Sequence, residues 1–196
     1  MKLLRVKTSA SEPALRPGKL FFASRLKKPK RFDLISYRAI VPDAGLTLLT
    51  HRLCGLPGDT VLIKGGILYV NQQDADRSLA LKHLCKLDKD ISETIRYDKE
   101  QSYIVAPYTN TIYISLEDRF VKDNQVRCDR HVLPPGVRDD AIFQCYRQNW
   151  NRDHFGPLVV PAGSYFVLGD NRGFSVDSRQ LGFVAQSKYV GTVLWK

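Results

Sequence analysis

The sequence predicts an all-β fold, mainly strands with minor short helices. Two observations carry this: short runs rich in β-branched, aromatic and leucine residues are separated by Gly, Pro, Asn and Asp, and one pair of runs is joined by a glycine pair. Taken in order, the runs are Lys19 to Ala23, Leu34 to Arg38, Thr60 to Ile63, Ile67 to Val70, Tyr103 to Val105, Thr111 to Ser115, Ser164 to Leu168 and Tyr189 to Leu194. Lys64-Gly65-Gly66 reads as a hairpin, because paired glycines accept the positive φ of a tight turn. The stretch from Asp74 to Asp98 differs: Leu79, Leu81, Leu84 and Leu87 among Lys, Asp and Glu predict one or two short helices. Arg147 to Pro161, with Trp150 and Phe155 among turn residues, predicts a long ordered loop. No repeat of fixed period and no low-complexity linker divides the chain, so residues 1–196 are expected to form one domain.

Composition places the chain among globular proteins and excludes disordered and fibrous classes, with 43% hydrophobic and 26% charged residues. The net charge of +10 is concentrated at one end: residues 1–40 hold eleven Lys and Arg against Glu12 and Asp33. The cluster of Arg25, Lys27, Lys28, Lys30 and Arg31 reads as a solvated face, or as a contact with anionic lipid headgroups, where each basic residue contributes on the order of 1 kcal/mol. Nucleic acid is the weaker partner, because no aromatic-interleaved motif accompanies the charge.

No apolar stretch approaches the roughly 20 residues that span a bilayer, and the opening MKLLRVKTSA lacks a secretory apolar core. The chain is therefore expected to carry no transmembrane segment or signal peptide of its own, which leaves a cytoplasmic location open. Cys54, Cys85, Cys128 and Cys145 permit one or two disulfides without requiring any. His83, Cys85, Cys128 and His131 could be assembled into a metal site, yet their spacing follows no standard zinc pattern, and no cofactor is expected.

Two segments carry a resemblance. THRLCGLPGDTVLIKGGILYVN, Thr50 to Asn71, has a basic pair, G-x-P-G-D, a strand, a glycine turn and a second strand ending in Asn. LGDNRGFSVDSRQLGFV, Leu168 to Val184, follows G-D-N-R-x-x-S-x-D-S-R-x-x-G-x-V. In this order the two resemble type I signal peptidases of the bacterial kind, leaving about 74–148 as a variable insertion. The resemblance implies the family's all-β catalytic domain of coiled antiparallel sheets, a serine endopeptidase activity that removes signal peptides, exported preproteins as partners, and a place at the extracytoplasmic face of a membrane.

The resemblance also implies the site. Asp177 and Arg179 are placed to pair and hold the second motif, with Arg52 and Asp170 as further supporting residues. Ser175 matches the serine that hydrogen-bonds the catalytic base, and Thr8 the hydroxyl that helps form the oxyanion hole. SEPALRPGK aligns with the family's nucleophile box through Pro13, Ala14, Leu15 and Gly18, which puts Ala10 where the nucleophile is expected. Ser9 and Ser11 flank it. A shift of one residue along an extended strand would turn either side chain away, and a bulge could bring Ser11 round. His51 stands where a lysine base is expected; imidazole, with an ordinary pKa near 6.5, can accept a serine proton near neutrality.

Three functions follow. One is a signal peptidase using Ser11 or Ser9, His51 and Ser175. A second is a catalytically impaired or silent relative that binds extended peptides by strand addition or assists assembly. The third is a basic domain that binds an anionic membrane or nucleic acid. Ala10 and His51 together favour impaired or silent catalysis.

Overall fold

The computed structural model describes residues 1–88, 90, 103–107 and 109–195. Its strands are β1 (Lys2–Arg5), β2 (Leu20–Ser24), β3 (Leu34–Val41), β4 (Gly45–Gly55), β5 (Thr60–Lys64), β6 (Ile67–Val70), β7 (Gln73–Asp74), β8 (Lys82–Asp88), β9 (Tyr103–Val105), β10 (Thr111–Glu117), β11 (Asp129–Arg130), β12 (His154–Val159), β13 (Ser164–Leu168), β14 (Val184–Ala185) and β15 (Tyr189–Trp195). Three short helices, α1 (Asp118–Asp123), α2 (Asp140–Tyr146) and α3 (Ser178–Leu181), join them, with 3-10 turns at Ser9–Ser11 and Gln186–Lys188. None of these helices is long and apolar enough to cross a membrane.

The strands form three antiparallel sheets, ordered β1-β2-β15-β3-β4-β13-β14, β12-β5-β6-β7 and β11-β8-β10-β9. The β5–β6 hairpin shows how local sequence sets this arrangement. Gly65 and Gly66 take φ of 58° and 74°, the left-handed pair of a two-residue turn, so Lys64 lies opposite Ile67. Period-2 alternation then sends Val61, Ile63, Leu68 and Val70 to one face, where they pack with Ile142, Phe155, Phe166 and Leu168. Ile35, Tyr37, Leu53 and Val167 form a second apolar group, between β3, β4 and β13. Phe21 is buried beneath β2, while its neighbour Leu20 is exposed.

Two expectations are corrected. The Asp74–Asp98 stretch is not helical over residues 74–88, although Asp90 is: Lys82–Asp88 is a strand, and Leu84 and Leu87 are buried in it. Pairing with β10 and a disulfide between Cys85 and Cys128 outweigh the weak helical spacing of the leucines. Residues 89 and 91–98 of that stretch lie outside the described residues. The loop expected at Arg147–Pro161 contains β12, because Phe155 anchors the segment in the apolar core and the strand pairs with β5.

The disulfide joins residues 43 apart in sequence and fastens β8 to the segment entering β11. A cross-link over a loop of that size stabilises a fold chiefly by restricting the unfolded chain. We expect Cys85→Ala/Cys128→Ala to lose about 3 kcal/mol in urea unfolding, and the wild-type chain to lose a comparable amount in reductant; unchanged midpoints in both would show that the bridge carries no stability.

Candidate functional site

The 169–179 loop is held by one carboxylate. Asp177, fully buried, accepts from the Gly169 amide at 3.0 Å, the Arg179 amide at 3.1 Å, and Arg179 Nε and Nη2 at 2.9 and 2.8 Å. Its backbone amide in turn donates to the Gln180 side-chain oxygen at 3.2 Å, closing a capping box at the start of α3. Burial alone would raise the Asp177 carboxyl, but the Arg179 charge and these hydrogen bonds hold it down to about 2. Beside it, Ser178 Oγ accepts from the Val167 amide at 2.9 Å and ties the loop to β13.

Next to this anchor sits His51, only 1% exposed on β4. The Tyr37 hydroxyl lies 2.8 Å from its Nδ1, and Ser175 Oγ lies 3.5 Å from its Nε2. Tyr37 reaches the ring because His51 pairs with Ile35 across β3–β4, and the residue two further along β3 shares its face. Burial lowers the His51 pKa; the charges of Asp177 and Asp170 oppose that and Arg179 adds to it, leaving the ring neutral near pH 7.

The turn at Ser9–Ser11 approaches the same place. Ala10 is buried, and its carbonyl accepts from the Asn171 amide at 3.0 Å, while Asn171 Nδ2 donates to the Ser9 carbonyl at 3.3 Å. Ser11 is buried too, and its hydroxyl donates to the Thr50 carbonyl. Because these residues form a 3-10 turn and not an extended strand, the face-alternation expected for Ser9 and Ser11 does not apply. Thr8 precedes the turn, exposed, and its side chain makes no capping bond. Gly169 is required here by proximity: a Cβ would overlap the Ser175 side chain and stand 2.6 Å from the Ala10 carbonyl oxygen.

Buried ion pairs surround this centre. Arg52 grips Asp170 through Nε at 2.9 Å and through Nη2, and its Nη1 donates to the Phe32 carbonyl at 2.7 Å. Lys82 Nζ meets Glu12 at 2.5 Å, and Arg172 meets Asp76 at 2.8 and 2.5 Å. Lys82 also exchanges backbone bonds with the loop, donating to the Asp170 carbonyl and accepting from the Arg172 amide, both at 2.9 Å. Ser115 Oγ donates to Asn171 Oδ1 at 2.6 Å. Strands β8 and β10 of the region expected as a variable insertion thus hold the loop from its far side.

The structure therefore assembles His51, Ser175, Ala10, Arg52, Asp170, Asp177 and Arg179, and sets Ser11 beside them with its hydroxyl directed to Thr50. Sequence reading missed Tyr37 and the Lys82–Glu12 pair, and it took Asn171 only as a residue suited to tight backbone geometry. Tyr37 was recoverable from the β3–β4 register; Lys82 carried no signal, being 70 residues from its partner. Cys85 and Cys128 are joined in the disulfide and lost to any metal site, and among the described residues no group of three metal-binding side chains occurs.

The burial of His51 has a pH signature. Its folded pKa lies below the ordinary value of 6.5, so the unfolded chain takes up a proton first as pH falls through 6.5, and acid costs stability from there downward. His83 and His131 have the same sign, also through burial. His51→Gln is expected to retain a shallower decline of the urea midpoint between about pH 7 and 5; an unchanged slope would remove His51 from the acid response.

The profile of "Signal peptidase, peptidase S26" matches residues 1–196. Signal peptidase I of Aquifex aeolicus is 29% identical over 193 residues, 95% of this chain and 71% of that protein. Signal peptidase I V of Bacillus subtilis is 27% identical, over 88% of this chain and 68% of that protein. The crystal structure of a signal peptidase I from Enterococcus faecalis aligns at a TM-score of 0.41 and 27% identity, over 85% of this chain and 97% of that one. The match over the whole chain, together with a 169–179 loop folded around His51, shows that the chain belongs to the signal peptidase family, peptidase S26.

Proposed function

We propose that this chain is a signal peptidase-family protein that holds extended peptides, exported preproteins among them, without cleaving them by the family's serine mechanism. One observation carries the reading: among the described residues the hydroxyl hydrogen-bonded to His51 Nε2 is that of Ser175, while position 10 offers a methyl group and the Ser11 hydroxyl is directed to the Thr50 carbonyl. In the family's serine mechanism the nucleophile stands at the base, and the residue at the expected position, Ala10, has no hydroxyl.

Peptide binding is supported by the register of β4. Residues 45–52 pair with β3 on one side, whereas β13 meets β4 only at Arg52, Leu53 and Gly55 on the other. Among the described residues, the stretch before His51 thus has a side on which an added strand can pair by backbone hydrogen bonds. The Cys85–Cys128 disulfide supports a location in an oxidising compartment, hence the extracytoplasmic face. A contact with an anionic membrane surface is supported by Leu26, 94% exposed between Arg25 and Lys27, with Lys28 and Lys30 exposed close by. We further take residues 1–196 as one domain with 74–148 as its variable part.

The test is cleavage of a dye-labelled signal-peptide substrate in detergent, from about pH 5 to 10, by the wild-type chain and by Ser9→Ala, Ser11→Ala and His51→Ala. All four are expected at background, since loss of a catalytic nucleophile lowers turnover about 10⁶-fold. Cleavage by wild type that disappears in His51→Ala and in one serine variant would establish a relocated serine protease and overturn the reading.

A further inference from the structure

We propose that Tyr37, His51 and Ser175 form a hydrogen-bond relay of fixed direction whose open end, the Ser175 hydroxyl, donates to a backbone oxygen of the bound peptide. This rests on the peptide-binding reading and names the group within that site that grips the ligand.

The direction follows from counting protons. Tyr37 is 1% exposed, and among the described residues its hydroxyl has one hydrogen-bond partner, His51 Nδ1 at 2.8 Å. Burial keeps the phenol protonated, well above its ordinary titration range. A buried hydroxyl proton left without an acceptor is costly, so the phenol donates and Nδ1 accepts. Burial also keeps His51 neutral, and a neutral imidazole has one donor and one acceptor nitrogen. The ring proton is therefore on Nε2, which faces Ser175 Oγ at 3.5 Å.

Ser175 Oγ accepts that proton and keeps its own. No other hydrogen bond to Ser175 Oγ occurs among the described residues, and the side chain is half-buried, so its proton is within reach of a ligand. Ser175 Oγ and the Ala10 carbonyl both border the space that a Cβ at Gly169 would fill, which places the hydroxyl beside the Ser9–Ser11 turn. The 3.5 Å step is long for a hydrogen bond; such contacts shorten when a ligand occupies the site, and a peptide oxygen that draws on the Ser175 proton polarises the chain behind it. In this tautomer His51 is a donor toward Ser175 and cannot activate it for attack. Tyr37 is a positioning residue that sets the tautomer, and Ser175 is the ligand-binding residue.

Two readouts test this. Long-range ¹H–¹⁵N correlation spectra of the ¹⁵N-histidine-labelled chain at neutral pH, with His51→Gln to identify the ring, should show His51 protonated on Nε2 and bare on Nδ1, and Tyr37→Phe should displace the Nδ1 resonance. Fluorescence polarisation with a fluorescein-labelled nonapeptide of small and apolar residues, made as free acid and as C-terminal amide, should show Ser175→Ala binding about three- to tenfold more weakly. Weakening with both peptides assigns the oxygen to a chain carbonyl, and weakening with the free acid alone assigns it to the terminal carboxylate. A proton on Nδ1 would overturn the relay. So would unchanged affinity in Ser175→Ala where the wild-type chain binds. Failure of the wild-type chain to bind either peptide would instead remove the peptide-binding reading, and with it the ligand role of Ser175, while the spectra report the tautomer independently.

Discussion

The buried pair of Asp177 and Arg179 is the constraint from which the site follows. Neither group has water to solvate it, so each must find its partners within the protein, and the Asp177 carboxylate finds the Gly169 amide, the Arg179 amide and the Arg179 guanidinium. Satisfying those bonds bends residues 169–179 back on themselves, and that bend carries Asp170, Asn171 and Ser175 to their places. Removal of one member would leave the other charged and dry, a loss of about 3–5 kcal/mol for a buried pair. The pair is thus weak evidence of stability gained and strong evidence of geometry imposed. Arg52 with Asp170 and Arg172 with Asp76 extend the same logic outward, each joining the loop to a different strand or turn.

With the loop in place, the chemistry of the site is decided by which groups around His51 can give a proton and which can take one. A lysine at position 51 would have three protons to place and no acceptor function until it lost one. Histidine has one of each when neutral, so its neighbours choose its role. Here one neighbour is a phenol that has to donate, which turns the far nitrogen into a donor. A residue at 37 without a hydroxyl would leave that choice to Ser175. The polarity of the site is therefore written on β3, on a strand that carries none of the family motif.

This explains how far the sequence could be read. The β5–β6 hairpin, β13 and the Asp177–Arg179 loop were legible because each rests on residues close together in the chain: two glycines, an alternating run, a carboxylate two positions from its guanidinium. The strand Lys82–Asp88 was misread because its leucines fit a helical spacing, and only pairing with β10 and the bond from Cys85 to Cys128 decide between the two. Ala10 and His51 could be placed by resemblance, but the direction of the Ser11 hydroxyl could not. It depends on a 3-10 turn that brings residue 11 against Thr50, a contact 39 residues away in sequence.

The Lys82–Glu12 pair bears on how the site tolerates its departures from the family pattern. Glu12 immediately follows the Ser9–Ser11 turn, and Lys82 begins the sheet that supports the 169–179 loop, so the pair clamps the turn to the loop from outside. The Asn171 amides do the same from inside, holding the Ser9 and Ala10 carbonyls. Both clamps act through backbone groups or through position 12, and neither uses the side chain at position 10. The position of the turn is thus uncoupled from the residue that would be a nucleophile. A methyl group there leaves no buried donor or acceptor unmade, whereas loss of the Asn171 side chain would take the donor from the Ser9 carbonyl and free Ser115 at once, the backbone amide still holding Ala10. The turn and the loop keep their positions whatever side chain stands at position 10, because the bonds that hold them are made by other groups.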